Sequence, residues 1–353
     1  MKARPALLLK VFSFFLLLTF IACEGDIGPQ GPIGATGPVG PQGIAGVDGS
    51  DGQNGAENCV DCHGNNQLIT AKMFQWQNSV HYLGGHYERN VSRCAGCHTS
   101  QGFLDRIATG DTQASMDIED PLPQNCYTCH QIHQQYTADD WMLTAEDPVT
   151  LWVGGATVDV GKGNQCVICH QPRVPSPPLP NVGEEGMVEI TSTRYGPHHG
   201  AQGAMFNGEG AYEIGDGYAN SSHTTLVSNA CVTCHMASVT GGRDAGGHTF
   251  RVESEEGDLN FNACMQCHAE SDALENLVEA TQAGIIERLD SLGQKLQDIG
   301  IMDANGRSIR GTYTSLQVGA LWNYKYVEED QSKGVHNANY ARTLLENTIE
   351  ALE

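Results

Sequence analysis

Six copies of Cys-x-x-Cys-His dominate this chain: Cys59/Cys62/His63, Cys94/Cys97/His98, Cys126/Cys129/His130, Cys166/Cys169/His170, Cys231/Cys234/His235 and Cys264/Cys267/His268. The pentapeptide is the attachment signature of c-type haem. Two thiols at that spacing reach the two vinyl groups on one porphyrin edge, and the following imidazole swings under the iron as its proximal ligand. A single copy could equally be a redox dithiol or half of a zinc site. Six copies, each with the trailing histidine, take 12 of the 13 cysteines and leave those readings without an explanation. The implied cofactors are six covalent haem c groups.

This count constrains the fold. First cysteines recur 35, 32, 40, 65 and 33 residues apart, too close for a large side-chain core between them. Nine phenylalanines and four tryptophans in 353 residues are poor material for such a core, and 42 glycines and 14 prolines favour loops. The flat apolar porphyrins are therefore expected to serve as the core. The expected fold is mainly α, with short helices such as those following the motifs, long irregular loops wrapped around a stacked haem array, and little or no sheet.

The formal charge is −23, from 19 basic and 42 acidic residues. Nucleic acid is excluded as a partner, because phosphates need Lys and Arg. Cationic partners or metal ions suit such a surface better than anionic lipid, although an acidic surface also serves solubility alone. Dense negative charge favours ferric over ferrous iron and lowers reduction potentials.

Residues 1–22 read as an export signal. Lys2, Arg4 and Lys10 precede the apolar run Val11 to Ala22, which is short for a membrane span. It ends in Phe20-Ile21-Ala22-Cys23, which resembles the lipobox of bacterial lipoproteins, with Phe20 in place of the usual Leu. Cys23 is the one cysteine outside the motifs and is the expected lipidation site. An ordinary cleaved signal is the alternative, and both readings mean export. The lipid would anchor the protein to the outer membrane, facing the periplasm or the cell surface. In residues 23–57, glycine then recurs at every third position from Gly25 to Gly55, with Pro29, Pro32, Pro38 and Pro41 directly after a glycine. This is the collagen pattern. The stalk is either a trimeric rod or a single extended chain with a reach of roughly 100 Å at about 3.1 Å per residue.

The haem domain is expected over 58–270. Its longest gap, from Cys169 to Cys231, holds the Pro-rich run 172–180 and a Gly-rich stretch at 196–217, which read as loops or an insertion. Residues 271–353 carry no motif. Ile285, Leu289, Leu292, Leu296 and Ile299 form an apolar seam at helical spacing, Asn305-Gly306 marks a turn, and two more helices follow around Leu316/Ala320/Tyr324/Val327 and Ala341/Leu345/Thr348/Leu352. They form a C-terminal helical pack that closes the array and offers a dimer face, or packs only within the chain.

The sixth iron ligand separates electron carriers from enzymes. Eight histidines lie outside the motifs: His81, His86, His133, His198, His199, His223, His248 and His336. Complete bis-histidine ligation needs six. His133, His223, His248 and His336 are candidates. His81 is favoured over His86, and one of His198 and His199 completes the set. His133 is three residues past His130, so it points to a different haem. His248 follows Gly246-Gly247, where a backbone can approach a porphyrin closely.

Gly196-Pro197-His198-His199-Gly200, Cys231-Val232-Thr233-Cys234-His235-Met236 with Gly247-His248-Thr249-Phe250, and Gly334-Val335-His336-Asn337 with Tyr340 carry a resemblance. Over 59–353 the chain resembles the multihaem cytochromes related to cytochrome c554, ammonia-forming nitrite reductase and hydroxylamine oxidoreductase. It is similar in particular to lipoprotein or extracellular cytochromes of metal-respiring bacteria. The resemblance implies closely packed haem pairs forming an electron wire in anaerobic respiration. Redox proteins, an outer-membrane conduit or extracellular metal would be the partners. It departs from the nitrite reductases in having no Cys-x-x-Cys-Lys motif, and six motifs are too few for hydroxylamine oxidoreductase. A reductase with one open haem, or a filament whose subunits share ligands, are the alternatives.

Overall fold

The computed structural model describes residues 63, 67–85, 87–238 and 244–353. The signal segment, Cys23, the stalk, Cys59, Cys62 and His86 lie outside them. The described residues fall within one unit, Gln53–Glu353.

The chain begins with α1 (Gln67–Gln77) and the single turn α2 (Val80–Leu83), whose N-cap Ser79 accepts from the Tyr82 N–H. Then come α3 (Ser92–His98) and α4 (Ser100–Thr109), joined by Thr99, whose hydroxyl caps α4 at the Gly102 N–H. Gly102 lets the two helices touch, since a Cβ there would stand 2.5 Å from the Ala95 carbonyl. Helix α4 stops at Gly110, in the left-handed conformation (φ 76°) that favours glycine. Next are α5 (Cys126–Cys129), the hairpin β1 (Val149–Thr150) with β2 (Thr157–Val158), and α6 (Asn164–Val167). Strand β3 (Met187–Ile190), α7 (Gln202–Asn207), α8 (Ser222–Leu226) and α9 (Cys231–His235) follow.

The C-terminal part holds α10 (Ser271–Ile299), β4 (Gly311–Thr314), α11 (Ser315–Asp330) and α12 (Ala338–Ala351). All three expected helices and the Asn305-Gly306 turn are present, the latter with Gly306 at φ 71°. Strand β4 pairs antiparallel with β3, Met187 opposite Thr314 and Ile190 opposite Gly311. Sheet is thus limited to two short pairs among the described residues. No described helix is long and apolar enough to cross a membrane.

Two features depart from the sequence reading. The described motifs are themselves helical turns, in addition to the helices that follow the first, second and sixth motifs, α1 from Gln67, α4 from Ser100 and α10 from Ser271. Second, the stretch 196–217 is core, not insertion. Ala201, Ala204, Met205 and Tyr212 are buried with Leu151, Val167 and Ile190 from the motif region and with Leu292, Leu296, Val318, Trp322, Leu345 and others from α10–α12. A side-chain core therefore exists beside the haem region. The glycines of 196–217 encode close approach: a Cβ at Gly200 would stand 2.5 Å from the Gln171 carbonyl, and one at Gly203 2.7 Å from that of His170. Helix α11 is buried on nearly every side. Asn323 in its middle accepts from the Tyr212 N–H (2.8 Å) and donates to the Tyr212 carbonyl (2.7 Å) and Thr348 Oγ1 (2.9 Å).

Candidate haem-binding centre

Each of the five motifs whose cysteines are described forms a helical turn, the sixth as a 3-10 turn over Cys264–Gln266. In the third, fourth and sixth motifs the histidine N–H donates to the first cysteine's carbonyl at 2.9 Å. This i to i−4 bond brings residues i, i+3 and i+4 onto one face, so both thiols and the imidazole point the same way. Capping holds the third motif, where Asn125 and Thr128 bond reciprocally. The ten described motif cysteines form no disulfide. Among the described residues no three His, Cys, Asp or Glu side chains converge as a metal cage. The zinc and disulfide readings thus find no geometry.

We number the sites 1 to 6 by motif. Every motif histidine faces one other histidine. At site 1, His63 and His133 have ring centres 5.9 Å apart. The site 2 pair is His98 and His198, 6.3 Å apart. His130 and His248 form the site 3 pair at 6.3 Å. At site 4 His170 faces His81 at 6.2 Å. His235 and His336, at site 5, are separated by 6.1 Å. At site 6 the pair is His268 and His223, again 6.3 Å apart. A metal–imidazole bond is about 2 Å, so two rings on opposite sides of one ion stand roughly 6 Å apart. The six spacings fit an iron between each pair. His198, not His199, faces His98. The His199 side chain is 77% exposed, its Nδ1 is 3.5 Å from Glu329 Oε2, and its N–H donates to the same oxygen at 2.5 Å.

A cavity of about 2360 Å³ joins the sites. The histidine pairs of sites 2, 4, 5 and 6 all line it, and Cys129 brings in site 3. Val80, Leu226 and Val252 present apolar side chains to it. Protein interiors carry few voids larger than a water, and a connected apolar space of this size, bounded by thiols and imidazoles, is shaped for porphyrins.

The backbone delivers several non-motif histidines by left-handed turns. His133 (φ 62°) and His198 (φ 67°) are themselves in that region, where non-glycine residues are uncommon. Gly247 (φ 56°) precedes His248, and Gly334 (φ 93°) precedes His336. The observed neighbour of Gly247 is Gln75: a Cβ would lie 2.4 Å from its Oε1, which also accepts from the His248 N–H. Asn337 caps α12 and accepts from the Ser221 N–H, so one side chain ties the turns carrying His336 and His223.

Burial sets most of the imidazoles neutral, the form that ligates. It lowers His81 to about 4. His98 falls to about 4 through burial first and the charges of Arg89 and Arg173 next, and His198 to about 4 through burial first and the Arg173 charge next. His248 is lowered to about 4 by burial and by Lys72. His336 is the exception. Burial lowers it, but the Asp330 charge and hydrogen bond (Nδ1 to Oδ1, 2.7 Å) lift it above the ordinary value. Three other Nδ1 atoms meet neutral partners: His130 the Trp141 carbonyl (2.8 Å), His235 the Phe250 carbonyl (2.9 Å), His170 the Gln202 side chain (3.2 Å). These partners orient the rings. Asp330, Gln202 and Gln75 carried no sequence signal.

Contacts between motifs order the sites. Cys169 Sγ lies 4.0 Å from the Gly96 carbonyl, joining sites 2 and 4. A Cβ at Gly163, the N-cap of α6, would stand 3.3 Å from Cys231 Sγ, joining sites 4 and 5. Gln165 accepts from Thr144 Oγ1 (3.0 Å) and donates to the Thr128 carbonyl (3.2 Å), fastening site 4 to site 3. Asn337, accepting from the Ser221 N–H at 2.8 Å, fastens the turn of His336 at site 5 to that of His223 at site 6. His133 follows the third motif by three residues and faces His63, linking sites 1 and 3. The order is 1–3–4–5–6, with site 2 on site 4.

Residues 211–352 match the family model described as cytochrome c552, covering the last two motifs and α10–α12. The chain is similar in fold to the crystal structure of the outer cell wall cytochrome OcwA. The TM-score is 0.51 at 21% identity, over 79% of this chain and 50% of that one. The chain thus spans half the length of that protein. No curated protein matches.

Proposed function

We propose that the chain is a multihaem c-type cytochrome acting in electron transfer, a reading that its motifs, fold and family match support. In this reading it holds six haem c groups, each between a motif histidine and a second histidine. When bound, the haems supply one-electron iron chemistry at potentials set by their axial ligands and surroundings. The observation that carries this reading is the pairing of all six motif histidines at 5.9 to 6.3 Å.

The chain's residues divide the work. Cysteine pairs fix one edge of each site. The two imidazoles of each pair would hold the iron from both sides, which would leave no place for a substrate. Inter-motif contacts hold neighbouring sites against each other. His63 and His133 at site 1, and Cys267 and His223 at site 6, are exposed, so the ends of the 1–3–4–5–6 line face outward. A nitrite or hydroxylamine reductase would need a motif histidine without a partner. A ligand-sharing filament would need a partner from the next subunit. The in-chain pairs speak against both.

Export, lipidation at Cys23 and a stalk spacing the domain from the outer membrane complete the proposal. Electrons would pass from periplasmic donors towards an outer-membrane complex or extracellular metal. Low-temperature EPR of the oxidised protein, with haem counted as pyridine haemochrome, tests the core of it. Six haems, all low-spin, are expected. A stoichiometric high-spin signal that shifts on adding nitrite or hydroxylamine would make the protein a reductase instead.

A further inference from the structure

Arg106 is a buried cation in an acidic protein. It is 6% exposed. Its Nη1 donates to Cys97 Sγ (3.3 Å), its Nη2 donates to the Ile168 carbonyl (2.9 Å), and its guanidinium lies 4.5 Å from the Trp152 ring centre. Cys97 belongs to site 2, and Ile168 lies between the two cysteines of site 4. Helix α4 is pressed against the second motif: a Cβ at Gly96 would stand 3.1 Å from Arg106 Cδ. No carboxylate lies within ion-pair distance of Arg106 among the described residues. Its hydrogen-bond partners are at the cysteine edges of sites 2 and 4, and the propionates of haems held by those cysteines would leave from the opposite edge.

An uncompensated buried charge acts over a long range because the surroundings screen it weakly. A positive charge favours the ferrous state, which carries one positive charge fewer than the ferric. Site 2 gathers more of the same sign, since Arg89 and Arg173 both act on His98 and His198. Site 5 is built the opposite way. Asp330, whose side chain is 1% exposed, accepts from His336 Nδ1 at 2.7 Å. A buried carboxylate on a ligand's second nitrogen raises that ligand's basicity and favours ferric iron.

We propose that Arg106 makes sites 2 and 4 the high-potential pair of the array, with site 2 as an electron well at the end of its branch, and that Asp330 makes site 5 the low-potential step. Electrons entering from either end of the line collect at the branch before they leave. Each transfer oxidises one ferrous site and reduces one ferric neighbour, and no proton or bond is exchanged. The inference rests on the reading of six low-spin sites given above.

The test is a redox titration of the haem-loaded protein followed by EPR. His198→Gly removes the site 2 low-spin component and thereby identifies it; that component is expected to be among the two of highest midpoint. In Arg106→Gln the two highest components move to lower potential while the others hold, and Arg106→Lys, which keeps the charge, restores them. Asp330→Asn moves the lowest component upward. Unmoved high components in Arg106→Gln, or a low midpoint for the component lost in His198→Gly, would overturn the proposal. The His198→Gly assignment stands even where Arg106→Gln fails to fold. Six low-spin haems with the wrong order of potentials sink only this inference. A wild-type spectrum that is not all low-spin sinks the electron-transfer reading itself.

Discussion

Replacing His198 and His199 one at a time by glycine isolates the ligand assignment at a single iron. His198 faces His98 at 6.3 Å, and His199 turns to Glu329. Both have positive φ, 67° and 61°. Glycine takes that conformation freely, and removing the side chain relieves roughly 1 kcal/mol of left-handed strain, so the backbone is expected to stay. The Glu329 bond to the residue 199 N–H survives as well, because glycine keeps that donor. In His198→Gly, Cys94 and Cys97 still tether the haem, so the haem count is unchanged. One site of six loses its second axial nitrogen, and quantified EPR should show one sixth of the iron as high-spin ferric. His199→Gly should stay wholly low-spin. A low-spin His198→Gly protein, or a high-spin signal in His199→Gly, would refute the pairing of motif and distal histidines by ring spacing.

Three further outcomes are expected. Asn323→Ala removes three hydrogen bonds inside α11 and leaves both polar groups of Tyr212 unpaired; at about 1 kcal/mol each the loss is about 3 kcal/mol, read as a lowered thermal midpoint, and an unchanged midpoint contradicts it. His81, His98, His198 and His248 are held near 4 when folded against an ordinary 6.5. Between those values the unfolded chain binds more protons, so stability rises with pH across that window and falls on acidification. Denaturation midpoints of the haem-loaded protein from pH 7 to 4 should decline, because each of these imidazoles takes up a proton once unfolding releases it; a flat profile refutes this. Cys23→Ser should move the protein from the membrane fraction to the soluble fraction in a two-phase detergent partition, and retention in the membrane would count against the lipid anchor.

The haem sites were legible where their chemistry is local. Cys-x-x-Cys-His encodes its own helical turn, because the hydrogen bond that orients the three side chains closes within five residues. The types of the second ligands were also legible, since eight spare histidines in an otherwise His-poor chain ask for a role. Their partners were not. The paired residues are separated by 45 positions at the least (His223 to His268) and 118 at the most (His130 to His248), and no periodicity reaches across such a distance. Glycine misled at 196–217 for a related reason. Local rules read a glycine-rich run as a loop, whereas at Gly200 and Gly203 the missing Cβ makes room for another backbone. The seam Leu316, Ala320, Tyr324 and Val327 described one face of α11, but Trp322 and Tyr326 are fully buried on others. A helix packed on several sides shows no clear apolar stripe.

The same division separates the net charge from the charges that stand beside each site. A total of −23 suggests low potentials throughout, but most of that charge is solvated and screened within about 10 Å. What acts at each site is the small set of charges the fold buries. Arg106 is one of 19 basic residues and has nothing unusual in its sequence neighbourhood. Two close approaches, at Gly96 and Gly102, press its helix onto the second motif. Asp330 ends a helix whose sequence places no histidine beside it; His336 reaches it only after the chain turns through Gly334. The motifs therefore give the number of redox sites to expect, and in our proposal the charges the fold buries set the order in which they fill.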